Sequence, residues 1–357
     1  MSSWCGLLLL TEAGVQQNIL EYGGLAFNAF GRNGERVCDI AIIILAFGAQ
    51  LSYILIVGET ISNLLHSWGC YKWICLESTD AILAISLFVT PICMFRHFGH
   101  LAWLSIFSIF TIVTIIFLTL IGGPLEYQPN QGNLKVFSIN GFLSSFGSIV
   151  FALSCASANF QAYISTEQKS QSFDKWKYIT GLATLGGSLM CGVMGLAGYL
   201  SFRNCTGNNI LDNFPQQRFD FFQVMICIHL ILYIPVNFII MRYSICKMAL
   251  NKRSETLPFA LHTIITVSLL AFTTLISIFI GSGGLSSVFN FTGGIGGSIN
   301  CFILPALIYL KVMPKGSRLT NAAYVVLFIG VFIMFAVPIE LIVSIVRKED
   351  TPLPEYC

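Results

Sequence analysis

Charge is what this chain has least of. Only 10% of its 357 residues are Asp, Glu, Lys or Arg, and 19 basic against 17 acidic residues leave a formal net charge of +2. Average soluble domains carry roughly 25% charged residues, so this chain could not cover a water-facing surface. The same poverty excludes a disordered chain, and the missing basic excess excludes a nucleic-acid binder. Catalytic signatures are absent too. Of the five His only His97 and His100 are close, beside Arg96, and there is no HExxH, GxSxG or phosphate loop. The twelve Cys form no CxxC pair and no cluster with His, which removes a thiol–imidazole metal centre. What remains is a polytopic membrane protein, in which lipid replaces water around most of the surface.

A crossing helix takes roughly 20 mostly apolar residues. Between Glu255 and Lys311 there is no charged residue at all, and that run breaks at Gly281–Gly284 into two spans. The chain as a whole divides into nine full crossings, near 37–57, 79–95, 100–121, 136–165, 178–202, 221–246, 258–281, 285–310 and 321–346. Runs this long and continuous are helices, since barrel strands are about ten residues long and alternate. Ser2–Leu10 is apolar but about half a span, without the basic flank or cleavage site of a signal peptide. It reads as the tail of a crossing whose beginning is absent. The expected organisation is therefore a residual helix and cytosolic loop over 1–36, a nine-helix bundle over 37–346 and a non-cytosolic tail over 347–357.

Placing alternate loops on one side divides the Lys and Arg 13 to 6, and the richer side is the cytosolic one. Asn204-Cys205-Thr206 is then a glycosylation sequon on the non-cytosolic side. Cys70, Cys75 and Cys205 share that side, and the sequence does not choose a disulfide among them.

Polar groups in a crossing are costly unless they pair or line a cavity. In 136–165 the centre is Ser154-Cys155-Ala156-Ser157-Ala158-Asn159, small and polar. It reads either as a helix that unwinds to offer backbone groups to a substrate or as close packing on a neighbour. His229, Tyr233 and Asn237 follow at i, i+4 and i+8 on one face, with Pro235 between them. They face either an aqueous site or a partner helix. Gln50, Ser52 and Tyr53 make a third polar group. The Gly293–Gly297 run, flanked by Asn290, Thr292, Ser298 and Asn300, reads as close packing.

The order of these features resembles the amino acid/auxin permease superfamily, in its sodium-coupled neutral amino acid transporter branch (member 11-like). LSYILIVGETISNLL at 51–65 is similar to that branch's third helix, and FALSCASANFQAYISTEQ at 151–168 to its sixth. KWKYITGLATLGGSLMCGVMGLAGYLSF at 175–202 ends in the family's Gly-Tyr-Leu-Ser/Thr-Phe pattern. Pro235 and Arg242 match the eighth helix, and INCFILPALIYLKV at 299–312 the tenth. The resemblance implies an all-α, LeuT-like bundle of two inverted repeats, here lacking the first helix and half of the second. It implies secondary active transport of neutral amino acids, with no prosthetic cofactor and with sodium or a proton as the coupling ion. Ser154, Cys155, Ala156, Ser157, Asn159, Gln50, Ser52 and Asn237 are the expected substrate contacts, and Tyr233 the expected ion-site residue. Two departures stand out: Ala156 where relatives often have His, and Tyr233 where a small hydroxyl residue is usual. With its first helix missing, the chain alone is expected to show little uptake, and a transport-inactive partner of a full-length carrier is the alternative. The plasma membrane and a lysosomal or vacuolar membrane are both expected locations. The sequence gives no oligomeric state.

Overall fold

A chain crossing lipid must satisfy every backbone N–H and C=O internally, and the apolar runs do so as helices. The computed structural model describes residues 2–69, 77–96, 102–125, 134, 139–165, 171–207, 209–214, 219–252, 254–314 and 316–347. Its helices are α1 (Ser2–Gln17), α2 (Tyr22–Ser67), α3 (Ser78–Cys93), α4 (Ala102–Leu125), α5 (Ile139–Ala152) and α6 (Asn159–Ser165). They continue with α7 (Phe173–Phe202), α8 (Asp220–Leu250), α9 (Phe259–Ile280), α10 (Leu285–Thr292), α11 (Leu304–Val312) and α12 (Thr320–Arg347). No strand occurs among the described residues, so the protein is an all-α, polytopic membrane protein.

Among the described residues, seven of the nine expected crossings are helices long and apolar enough to span a bilayer. The other two are shorter. α3 has 16 residues and ends at Cys93, soon after Pro91. The 136–165 span is interrupted between α5 and α6.

The loop expected within 1–36 is mostly helix. α1 continues past Leu10 to Gln17, and the chain is helical again from Tyr22. Tyr22, Leu25, Ala26 and Ala29 are buried while Phe27, Asn28 and Phe30 are exposed, a helical stripe that the intervening Gly and Asn obscured. Gly31, at φ 64° and ψ −157°, sets this amphipathic piece off from the apolar part of α2. That conformation is cheap only for glycine. Of the expected 347–357 tail, residues 348–357 lie outside the described residues.

Two compact units are distinguished among the described residues, one within 1–45, 137–189 and 289–347, the other within 46–136 and 190–288. In the first unit, α1, α11 and α12 share a core that includes Leu9, Leu10, Ala13, Ala306, Ile308, Tyr309, Ala323 and Ile333. The glycine run is a close-packing device. A β-carbon on Gly293 would overlap the Gly147 carbonyl of α5, and one on Gly147 would overlap the Asn290 backbone. Asn290 Oδ1 accepts from Ser148 N at 2.9 Å and from Ser148 Oγ at 3.1 Å, tying the same crossing. Gly293–Gly297 and Ile299–Ile303 form wide π-turns between α10 and α11.

In the second unit α3 packs on α8 and α9, and α4 on α8. Thr274 of α9 donates to Ser86 of α3 at 2.9 Å. Arg242 of α8 is fully buried. Its Nη1 donates to Cys93 O at 2.7 Å and Thr266 Oγ1 at 2.9 Å, and its Nη2 to Phe95 O at 2.8 Å. The guanidinium also lies 5.7 Å from the Phe238 ring centroid. It therefore satisfies carbonyls left free where α3 ends, and the negative end of that helix offsets part of its charge.

Two outcomes follow from this packing. Gly293→Ala separates α5 from the glycine run and lowers the yield of folded protein after detergent extraction; an unchanged yield would contradict the crossing. Arg242→Met leaves the α3 carbonyls unpaired and destabilises by about 3 kcal/mol, the scale for removing one partner of a buried charged contact, read as a fall in the thermal unfolding midpoint.

Candidate functional site

The interruption between α5 and α6 lies inside an otherwise apolar crossing, in a run whose side chains are too small to enforce a helix by packing. Regular α-helix stops at Ala152; Leu153 turns, Ser154 and Cys155 are irregular, and Ala156–Ala158 form a single 3₁₀ turn. Local bonds close the bend: Leu153 N to Ile149 O at 3.2 Å, Ser154 N to Phe151 O at 3.1 Å and Ala158 N to Cys155 O at 3.2 Å. Ser154 Oγ donates back to Val150 O at 2.7 Å, the competition with the helix ladder that hydroxyl residues bring.

Cys301 closes this bend from within the same unit. Its buried thiol faces the Ser154 side chain and the backbone amides of Cys155 and Ala156. Sulfur is a weak acceptor, so those amides are met without being tightly engaged. Ser154 and Ser157 are half-buried, Ala156 is buried and Cys155 is exposed. Cys155 and Cys301 are both free thiols. The structure thus brings Ser154, Cys155, Ala156 and Ser157 together around one non-helical bend.

Asn159 begins α6 directly after the bend, and its amide is engaged by protein. Trp176 Nε1 of α7 donates to Asn159 Oδ1 at 3.1 Å, and Asn159 Nδ2 donates to Thr11 Oγ1 of α1 at 2.9 Å. Thr11 passes the chain on to Leu7 O at 2.8 Å. Thr11, Trp176 and Cys301 are residues that sequence reasoning missed; each is an ordinary helix residue by pattern.

The second unit carries the other polar group. The His229 and Tyr233 rings lie 4.8 Å apart on α8, and the Asn237 side chain hydrogen-bonds Tyr53 of α2. Tyr53, Tyr233 and Asn237 therefore form one cluster, with Tyr53 the member not carried into the expected site. Ser52 Oγ is turned back on Gly48 O at 2.8 Å. Gln50 is fully buried, and neither atom of its amide finds a partner among the described residues. Asn300, in the first unit, is in the same condition at its side chain, while its carbonyl accepts from Tyr22 Oη at 2.6 Å.

Among the described residues no group of three or more His, Cys, Asp or Glu could hold a metal ion. Cys205 is disulfide-bonded; Cys70 and Cys75 lie outside the described residues. Asn204 and Thr206 of the sequon are exposed.

A bundle of apolar helices agrees with the sequence comparisons. Residues 1–343 match the profile of the family described as "Transmembrane amino acid transporter protein". The chain belongs to that family. It is 24% identical over 350 residues to "Solute carrier family 38 member 10" of Mus musculus, covering 93% of this chain and 31% of that one. It is 23% identical over 351 residues to "Vacuolar amino acid transporter 2" of Saccharomyces cerevisiae, covering 92% and 72%. It is 25% identical over 339 residues to "Putative sodium-coupled neutral amino acid transporter 11" of Danio rerio, covering 92% and 74%. The chain thus spans about a third of the mouse relative and about three quarters of the other two. This is a transporter family, and the enzyme reading falls with it.

Thiol chemistry reports directly on the bend. Because reactivity follows exposure as well as thiolate fraction, Cys155 reacts with a membrane-permeant maleimide about tenfold or more faster than Cys301. Site-resolved mass spectrometry measures both rates in one sample, and equal rates would contradict the bend as described.

Proposed function

We propose that this protein serves secondary active transport of neutral amino acids, with the bend at Leu153–Ala158 as part of the substrate site. The observation that carries the reading is the interruption itself: a helix broken within an apolar crossing, closed by a few local backbone bonds with a buried cysteine thiol beside them. A zwitterion needs donors for its carboxylate and acceptors for its ammonium, and the ends of half-helices supply both. Ser154, Cys155, Ala156 and Ser157 contribute backbone groups and small side chains, so the space is left to the substrate. Within the second unit, Asn237 and Gln50 are proposed as polar substrate contacts, while Ser52 has its hydroxyl turned back on Gly48 O inside α2. Tyr233, beside Asn237 and Tyr53, is proposed to serve the coupling ion, sodium or a proton. Alternating access, in which one helix bundle rocks against the rest around a midplane site, is the mechanism proposed for moving the substrate.

The names of two of the relatives support an amino acid as substrate, and one of those names supports a vacuolar location; the plasma membrane is the other location proposed. The exposed Asn204 is proposed as a glycan site on the non-cytosolic side.

Ligand protection is the test. Neutral amino acids at millimolar concentration slow maleimide labelling of Cys155, while lysine and glutamate do not. Failure of every neutral amino acid to protect would overturn the assignment of the substrate site. Sodium and proton gradients imposed on proteoliposomes then distinguish the coupling ion by which one drives accumulation. Separately, Asn204→Gln removes the mobility shift produced by glycosidase treatment; a shift that persists would place the glycan elsewhere.

A further inference from the structure

The side chain of Asn159 looks like a substrate contact by sequence, since it is an amide next to a broken helix. Its environment assigns it otherwise. It is only 5% exposed, and the neighbouring Phe160 and its partner Trp176 are closed in as well, at 2% and 4% exposed. Indole N–H can only donate, so the amide oxygen must face Trp176 and the amide nitrogen must face Thr11. The orientation of the carboxamide is thereby fixed by chemistry. The result is a directional chain, Trp176 N–H to Asn159 O, Asn159 N–H to Thr11 O, Thr11 O–H to Leu7 O, linking α7, α6 and α1.

Packing reinforces the same joint. The Phe160 ring sits against Gly14 of α1, where a β-carbon would collide with it. The Tyr163 and Trp176 rings meet edge-on at 5.2 Å and 84°. Trp4 Nε1 of α1 donates to Lys177 O of α7 at 3.3 Å. The first turn of α6 is therefore held on two sides by neighbouring helices. On its other side the chain leads straight into the bend, whose own bonds are few and local.

We propose that Asn159 is a positioning residue: its hydrogen-bond chain to Thr11 and Trp176 sets the first turn of α6 and so fixes the geometry of the bend that receives the substrate. This rests on the transport reading for its functional consequence, but the geometric part stands apart from it. A buried polar chain of this kind is cooperative, and loss of one member leaves the next unsatisfied. Removing the Thr11 hydroxyl or the Trp176 N–H should therefore act on the bend as removing the amide does, although neither group is at the bend.

The experiment reads the maleimide rate of Cys155 relative to that of Cys191, the exposed free thiol on α7, so that a general loss of fold cancels. Thr11→Val keeps volume and Trp176→Phe keeps an aromatic ring while removing the N–H, and each changes the Cys155 to Cys191 ratio by about fivefold, as does Asn159→Ala. In the Asn159→Ala background neither of the other two substitutions has a further effect. Each variant also raises the neutral amino acid concentration needed for half-protection of Cys155.

Were Asn159 instead a direct ligand, Asn159→Ala would weaken protection with the unliganded ratio unchanged, and Thr11→Val and Trp176→Phe would be silent; that overturns the proposal. Lowered thermal stability with an unchanged ratio in all three variants would make the chain merely structural and overturn it too. If no amino acid protects the parent protein, the transport reading fails, while the unliganded ratios still decide the positioning role.

Discussion

Backbone groups cannot be left without partners in hydrocarbon, where each unsatisfied group costs several kcal/mol. Everything unusual in this protein is a local answer to that constraint. Where the α-helical ladder continues, the sequence needs only to be apolar. Where it stops, some specific group must take over the ladder's work, and those groups are the informative residues. At the end of α3 the group is Arg242, whose guanidinium collects the Cys93 and Phe95 carbonyls. At the bend it is Cys301, facing the amides of Cys155 and Ala156.

These two answers differ in strength, and the proposed function uses the difference. Charge-assisted bonds are roughly twice as strong as neutral ones, so the end of α3 is pinned. A thiol is a poor acceptor, so the amides at the bend are covered rather than committed. A carboxylate is a much better partner for the same amides, and it would gain at the bend what the sulfur does not supply. Burial of Cys301 beside the exposed Cys155 keeps the bend formed without competing strongly for its donors.

Much of this was legible in the sequence because hydropathy and side-chain size are local properties. The apolar segments mark the crossings, the run Ser154–Asn159 marks the bend, and the Gly293–Gly297 run marks a close crossing whose partner turned out to be Gly147. The spacing of His229, Tyr233 and Asn237 places them on one face. What stayed hidden depends on neighbours distant along the chain. The piece from Tyr22 to Phe30 reads as loop because Gly and Asn dilute a stripe that only its burial reveals. Ser52 reads as a site residue, but a hydroxyl in a helix can always bond its own backbone four residues earlier, and Ser52 does. Thr11, Trp176 and Cys301 carry no pattern, since their roles arise only from α1, α7 and the π-turns meeting α5 and α6.

Asn159 shows why an amide beside a broken helix cannot be assigned from composition alone. The same residue type serves a substrate when its donors and acceptors point into open space, and serves the fold when they are already matched. Here a donor-only indole and a hydroxyl occupy the two ends of the carboxamide, and the hydroxyl's own proton is committed to Leu7 O. The Asn159 carboxamide is satisfied at both ends only while Thr11 and Trp176 stay in place. Gln50 and Asn300 are buried more completely than Asn159, yet their amides meet no protein partner among the described residues. A carboxamide matched at both ends holds its helix in one orientation, and the helix that Asn159 holds is the one whose first turn borders the bend. The shape of the bend is therefore set from behind, by groups that never need to touch what enters it.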